Sequence, residues 1–454
     1  MLFIDFGLIK KHHPQRTSFT DKPMTPDLFT RFAPSLQRAG FYLGLMLAIL
    51  YASNQILTGD QTQMLHKGYL GAYLGVWLAF GNAASAVGNV PGSLSAWIVG
   101  GPLLLWDNPW APMLMIIALR VVSFFLFDAV IKAVFSPPVR LVFMVAYWLN
   151  PWLLYDSLIY NPAYLCFFTA LHFWSAFKLR EKSSFIYSFL HVLAIGGAMQ
   201  FHYSWPVLAV ISCYLLYRKM AHPNWAGVIV GGMVVLASLI PYFQEYMVNE
   251  NISRESDRYI GYGAVHVYPV LKAVLYWIRY GSTMFSNRLI TDVSFDWITT
   301  ISWLQMTIQY CWQALLYLVG ATTVVISAKV NWRAWKTIKP IIKRDKPIAD
   351  DTHWLLLFAG ATVLAIIINA MLSPITFSYW HLILTFPLAL IPVLVAAETW
   401  RTVMPERFSL GLIALSAFFL VVNLVAAHDS DKYSYKVDYA EQVQQYLIDE
   451  GLSK

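Results

Sequence analysis

Residues 112–134 read PMLMIIALRVVSFFLFDAVIKAV, a run whose only charged side chains are Arg120, Asp128 and Lys132. At about 1.5 Å per residue a helix of this length covers the roughly 30 Å of hydrocarbon in a bilayer. The stretch reads as a transmembrane helix, and it sets the class of the chain. Working outward, similar runs lie near 39–57, 139–156, 162–178, 184–200, 204–217, 225–243, 307–328, 353–372, 379–397 and 408–427, which makes eleven crossings in all. Those at 139–156 and 204–217 are short or flanked by proline, so they are the ones expected to be tilted or broken.

Composition agrees. The 454 residues are 58% hydrophobic and 13% charged, whereas a soluble globule averages roughly 25% charged. Such a chain cannot coat a water-facing surface of this size, which excludes soluble-enzyme readings. The 18 Trp, 26 Tyr and 28 Phe suit helices anchored by rings at both lipid boundaries. Cys166, Cys213 and Cys311 all fall inside apolar runs without CxxC spacing, so neither a disulfide scaffold nor a thiol metal site is expected.

The net charge of +7 is explained by sidedness rather than by nucleic acid. Segment 1–38 carries Lys10, Lys11, Arg16, Lys22, Arg31 and Arg38 without a cleavage-type signal pattern, and reads as a cytoplasmic tail. Alternation then places Lys132, Arg140, Lys178, Arg180, Lys182, Arg218, Lys219 and the basic stretch Lys329 to Lys346 on that same side. Anionic headgroups are the natural partner of that stretch, because spans flank it on both sides.

The segment 58–111 has apolar pieces, Tyr69 to Phe80 and Leu94 to Trp106, broken by Gly81, Asn82, Gly88, Asn89, Pro91 and Gly92. Each piece is too short to span, and one extra crossing would invert every later basic cluster. They read as juxtamembrane or re-entrant helices on the outer face. The loop 244–306 is expected to lie partly helical over the same face. The domain reading is a cytoplasmic tail 1–38, a membrane domain 39–427, and a short extracytoplasmic tail 428–454. In that tail Tyr439, Val443, Tyr446 and Leu447 follow helical spacing. The fold class is an all-α polytopic membrane protein of about eleven transmembrane helices, with juxtamembrane helices in large outer loops.

Charge is scarce at membrane depth, where Arg120 and Asp128 stand apart, and common at the outer boundary. A transporter or flippase usually carries charged or broken helices at mid-depth, so the pattern favours chemistry on the outer face. Asp60, in Leu57-Thr58-Gly59-Asp60-Gln61, ends the first span in this reading. A carboxylate there is placed to act as a base or hold a metal, and it is equally placed for ordinary helix termination.

Around Asp60 a resemblance appears. That acid, the stretches Asn89-Val90-Pro91-Gly92-Ser93 and Gly101-Pro102-Leu103-Leu104-Leu105-Trp106, and Ala118-Leu119-Arg120 at the entry to the second span resemble the polyprenyl-phosphate-sugar-dependent glycosyltransferases of the C-type fold. Protein mannosyltransferases and aminoarabinose transferases are members of that superfamily. The chain departs from the pattern at Gln61, where a second acid is common, and at Gly92, which follows Pro91 in place of a second proline. Asn150-Pro151, Asp156, Asn161-Pro162, the segment Ser378-Tyr379-Trp380-His381 ahead of Phe386-Pro387, and the tail Ala440 to Leu447 extend the likeness over 39–450.

The resemblance implies a sugar donor on a polyprenyl phosphate, a glycan or lipid acceptor outside the cytoplasm, and inversion at the anomeric carbon. In it Asp60 is the base, while His381, Tyr379, Lys67, Arg254 and Arg258 face the donor phosphate. His202 and Tyr203 occupy the turn where members place a Thr-Lys pair, and Glu245 is a candidate for the acceptor or a metal. The residues also allow plainer roles. His381 is an interfacial neighbour of Tyr379 and Trp380, Lys67 snorkels to headgroups, Arg254, Asp257 and Arg258 form a solvated face, and Glu245 is a helix-end acid. Arg120 is expected to pair with a loop carboxylate or phosphate, and Asp128 to be structural. The cofactor stays open, a divalent cation between Asp60 and Glu245 being the one candidate. A flippase and a non-catalytic assembly subunit are the rival functions, and Asn251-Ile252-Ser253 is a formal glycosylation triplet.

Overall fold

The computed structural model describes residues 28–83, 88–151, 157–249, 267–283 and 288–452. The expectations placed on Asp156, on the 251–253 triplet and on Arg254, Asp257 and Arg258 lie outside the described residues.

Helix α1 covers Leu28–Ser53, so it starts earlier and ends earlier than the expected 39–57. Its end is local chemistry: Ser53 Oγ donates to the Ile49 carbonyl at 2.8 Å and Asn54 Nδ2 to that of Leu50 at 2.9 Å, satisfying carbonyls a terminating helix leaves bare. A short linker follows, and Asp60 therefore does not end the first span. It opens the next helix, α2, Gly59–Leu74. There the Thr58 N–H donates to Gln61 Oε1 at 2.8 Å, and a first-turn acid is favoured by the helix dipole.

After α2 the chain makes a two-stranded antiparallel ribbon, β1 Phe80–Ala83 with β2 Asn89–Pro91. This corrects the wholly helical expectation in one small element. Helix α3, Leu94–Leu105, returns against α2. The two cross closely, since a Cβ on Gly100 would fall 2.5 Å from the Gly68 carbonyl oxygen.

Then come α4 Trp110–Val134, and α5 Pro137–Phe143 running into a π-turn at Met144–Trp148. Next are α6 Asn161–Leu179, α7 Phe185–Met199, α8 Pro206–Tyr217, α9 Trp225–Val248 and α10 Val267–Tyr280. The long α11 covers Ser302–Ile342 and α12 covers Asp351–Leu372. A 3₁₀ segment Tyr379–Thr385 precedes α13 Ile391–Val403, α14 Pro405–His428 and α15 Tyr439–Asp449. Each apolar run read from the sequence falls at least in part on one of these helices. Among the described residues, six segments are long and apolar enough to cross a membrane: α4, α9, α11, α12, α14 and the stretch from Tyr379 to Val403. Pro387 and Pro392 break that last stretch into a 3₁₀ turn and a helix.

Packing fixes the ends of the bundle. In the apolar interior, Nε2 of His172 and of His191 each lie 2.8 Å from Ser212 Oγ, joining α6, α7 and α8. At the Leu179 end of α6, Arg180 makes a two-pronged pair with Asp351, both contacts at 2.9 Å, and Arg218 donates to the Ile341 and Ile342 carbonyls. Asp128 is structural, held by Arg140 at 3.1 and 2.6 Å. Arg120 is buried, donating to the Trp148 carbonyl at 2.9 Å with its guanidinium 4.5 Å from the Trp148 ring centre. At 1.5 Å per residue α11 is about 60 Å long, twice the hydrocarbon thickness. Its Lys329 to Lys339 half carries exposed Trp332 and Trp335, with Lys336 lying over the Trp332 ring.

Candidate active site

The linker after α1 holds the site, and a knot of glutamines holds the linker. Gln61, fully buried, donates its amide to the Gln55 side chain, and Gln55, also fully buried, donates to the Ser157 carbonyl at 3.1 Å. Gln442 of α15 donates to the Gln55 carbonyl at 2.8 Å, and its Oε1 accepts the Leu57 N–H at 3.3 Å. The Ile56 N–H donates to the Lys432 carbonyl at 2.7 Å, and the Tyr51 and Tyr433 rings sit 5.0 Å apart. The C-terminal segment is thus strapped to the linker. The departure at Gln61 gains a physical reason, because a carboxylate there could not donate to Gln55.

One residue before that buried Gln61, Asp60 points the other way. It is exposed, lines a cavity of about 800 Å³, and its carboxylate makes no hydrogen bond among the described residues. Its backbone carbonyl accepts from Asn82 Nδ2 at 3.0 Å, which fixes the ribbon to the start of α2. The ribbon supplies Val90 and Pro91 to the cavity. Gly92, the second departure, turns the chain at φ +88°, and a Cβ there would lie 2.3 Å from Gln200 Oε1. Glycine is required at this position.

His202 and His381 face the same cavity from the α7–α8 turn and from the 3₁₀ segment, with ring centres 5.6 Å apart. His202 Nδ1 accepts the Ser204 N–H at 3.1 Å, and His381 Nδ1 accepts the Ser378 N–H at 2.8 Å. A nitrogen that accepts carries no proton, so each neutral ring is protonated at Nε2, its far edge. Burial, aided by the neighbouring His381 ring, pushes His202 down to about 3, which keeps it neutral. Tyr160 also lines the cavity, and burial followed by the Asp60 charge raises its hydroxyl well above the usual range, so it stays protonated. Tyr203 lines the cavity and donates to the Asn89 carbonyl at 2.6 Å, bracing the ribbon.

Much of the remaining wall is apolar and aromatic. Helix α9 contributes Leu239, Tyr242, Phe243 and Tyr246, a stripe at helical spacing, and α8 and α12 contribute Val210, Ile368 and Leu372.

Three residues singled out in the sequence stand outside this cavity. Lys67 is buried beneath the ribbon, donating to the Gly81 carbonyl and lying 5.1 Å from the Phe80 ring centre; burial pushes it down to about 8. It is neither snorkelling nor facing the cavity. The Tyr379 side chain does not line the cavity either; its neighbours Trp380 and His381 do, while its carbonyl accepts from Tyr280. Glu245 falls off the α9 stripe and accepts from Asn249 Nδ2 at 3.0 Å. Arg254 and Arg258 lie outside the described residues. Conversely Tyr160, Asn161 and Asn369 line the cavity and were given no role from sequence. Asn161-Pro162 had been noted as a motif, whereas nothing near Tyr160 or Asn369 marked them.

No family model matches the chain, and no curated protein matches it in sequence. Among solved structures it is similar to ArnT, an aminoarabinose transferase, from Cupriavidus metallidurans bound to undecaprenyl phosphate. The TM-score is 0.53 at 10% identity, over 93% of this chain and 69% of that one. The apo state of the same protein aligns over 82% of this chain and 80% of its own at 10% identity, with a TM-score of 0.41. The chain therefore shares the fold of that ArnT structure, the fold that the sequence motifs suggested.

Proposed function

We propose that the chain is an integral membrane glycosyltransferase that moves a sugar from a polyprenyl-phosphate donor to a glycan or lipid acceptor outside the cytoplasm. Asp60 accepts the proton of the acceptor hydroxyl as its oxygen bonds to the anomeric carbon. The bond from that carbon to the phosphate oxygen breaks, the configuration inverts, and the lipid phosphate leaves with one more negative charge. His202 and His381, each neutral and protonated at Nε2, donate to that phosphate in surroundings of low polarity, where preorganised donors act most strongly. The apolar stripe of α9 receives the first isoprene units.

One observation carries this reading. Among the described residues, a carboxylate that makes no hydrogen bond and two histidines with Nδ1 already engaged line a single cavity whose other walls are mainly apolar and aromatic. Among the described residues no three His, Cys, Asp or Glu side chains converge. Among the described residues Asp60 and Glu245 do not share the cavity, so that pair does not hold a divalent cation and no step is routed through one. The likeness to a protein crystallised with undecaprenyl phosphate agrees with the donor class.

The same reading keeps eleven crossings, a cytoplasmic N-terminal segment and an extracytoplasmic C-terminal segment. The strap between the C-terminal segment and the Asp60 linker supports placing both on one side.

Asp60→Asn tests the base. With purified protein and a radiolabelled lipid-linked sugar, transfer is expected to fall about 10²–10⁴-fold while expression and donor binding persist. Unchanged turnover would remove Asp60 from the mechanism, whereas no transfer by the wild type is the result expected of an assembly subunit.

A further inference from the structure

Two carboxamides in the cavity have nothing to bond to. Asn161, 8% exposed, opens α6, and Asn369, half-buried, lies one turn before the end of α12. Asn161 Oδ1 and Asn369 Nδ2 are buried without a partner, and neither side chain makes a hydrogen bond among the described residues. Rotating either amide by 180° exchanges oxygen and nitrogen but leaves the count unchanged. Each carboxamide offers an acceptor oxygen and two N–H donors, none of them paired among the described residues.

A buried amide atom left unpaired is unfavourable, and in a folded protein it calls for a polar partner or a compensating role. The ligand's chemistry can be read from what each candidate group offers. An isoprenoid chain can neither donate nor accept, and a phosphate dianion only accepts. A sugar ring does both at each of its hydroxyls, so a hydroxyl-bearing ring in this cavity is the group that can pair with both amides. Charge narrows the class further. Among the described residues lining the cavity Asp60 is the one acidic side chain, and no Lys or Arg is present. A uronic acid would meet that carboxylate without a counter-charge, and an amino sugar would pair with it and occupy the base.

We propose that Asn161 and Asn369 are specificity-determining residues that read the hydroxyl groups of a neutral sugar carried on the donor. The inference rests on the glycosyltransferase reading and names the class of sugar it transfers. The donor is the partner that fits, because its sugar is one bond from the phosphate and His202 and His381 line the same cavity. A site built to pair with hydroxyls discriminates strongly, since the wrong ligand leaves both amides unpaired.

Leucine is nearly the shape of asparagine and has no polar atom, so Asn161→Leu and Asn369→Leu separate recognition from folding. Purified wild type and both variants would be titrated with decaprenyl phosphate and with its glucosyl, mannosyl and N-acetylglucosaminyl derivatives, and their thermal unfolding recorded. Wild type should bind at least one glycosylated lipid more tightly than the bare lipid. Each leucine variant should lose about 10-fold of that gain, bind bare decaprenyl phosphate as before, and unfold at the same or a higher temperature. Lower thermal stability with both lipids equally weakened would make the asparagines structural and overturn the proposal, as would full retention of the sugar's contribution. A wild type that binds the bare lipid but gains from none of the three sugars removes this inference alone. Failure to bind decaprenyl phosphate at all removes the underlying glycosyltransferase reading with it.

Discussion

The imidazoles of His202 and His381 line one cavity with ring centres 5.6 Å apart, each with Nδ1 engaged by a backbone N–H two or three residues away, which leaves Nε2 as its N–H donor. Two uncharged donors arranged this way suit an anion whose charge grows during reaction. Either ring replaced by alanine should lower kcat about 10²-fold. The double variant should lose less than the product of the single losses, because both donors serve one phosphate. Steady-state kinetics on the three variants decide it, and strictly multiplicative losses would separate the two roles.

Acid should destabilise the protein through His202. Its folded value is about 3 against an ordinary 6.5. Between those values the unfolded chain binds a proton that the folded chain refuses. The contribution is complete above about pH 6.5 and is lost as pH falls toward 3. In detergent, the drop in Tm from pH 7.5 to pH 5 should therefore be smaller for His202→Gln than for wild type. An equal drop in both proteins would count against a neutral, buried His202.

Gly92→Ala should destabilise by about 1–3 kcal/mol, the usual penalty for a side chain at a positive φ of this kind. It should also raise the donor KM, since Gln200 must move from beside the Pro91 wall. Thermal unfolding and kinetics on the same preparation test both parts. A variant as stable as wild type would mean the turn accepts another conformation.

Sidedness can be read by thiol labelling. In a background with Cys166, Cys213 and Cys311 replaced, Glu255→Cys should react with an impermeant maleimide added to intact spheroplasts, and Lys343→Cys only after lysis. The reverse pattern would invert the topology and carry the cavity to the cytoplasmic face.

Much of the fold was legible because crossing a bilayer imposes length and apolarity on each helix, and both are written in runs such as 112–134. The place of Asp60 was legible as a stretch, but its role as the opener of α2 was not. The end of α1 depends on Ser53 and Asn54 reaching back to carbonyls, and short polar side chains near a span end are too common to signal that. The departures at Gln61 and Gly92 looked like losses of pattern, yet each meets a demand set by distant residues: Gln55 and Ser157 for one, Gln200 for the other. Lys67 was ambiguous for the same reason. A lysine on a juxtamembrane helix reads as solvent-facing until the ribbon that covers it is known.

The strap has a consequence for biosynthesis. Leu57 and Gln442, which bond directly, are 385 positions apart, so Asp60's support is assembled from segments far apart in the chain. A ribosome delivering this chain to the membrane would insert the helices one after another while residues 54–58 still lacked their bonding partners. Activity should emerge only when α15 has been made and has docked on the linker, so half-made copies would lack the support of Asp60.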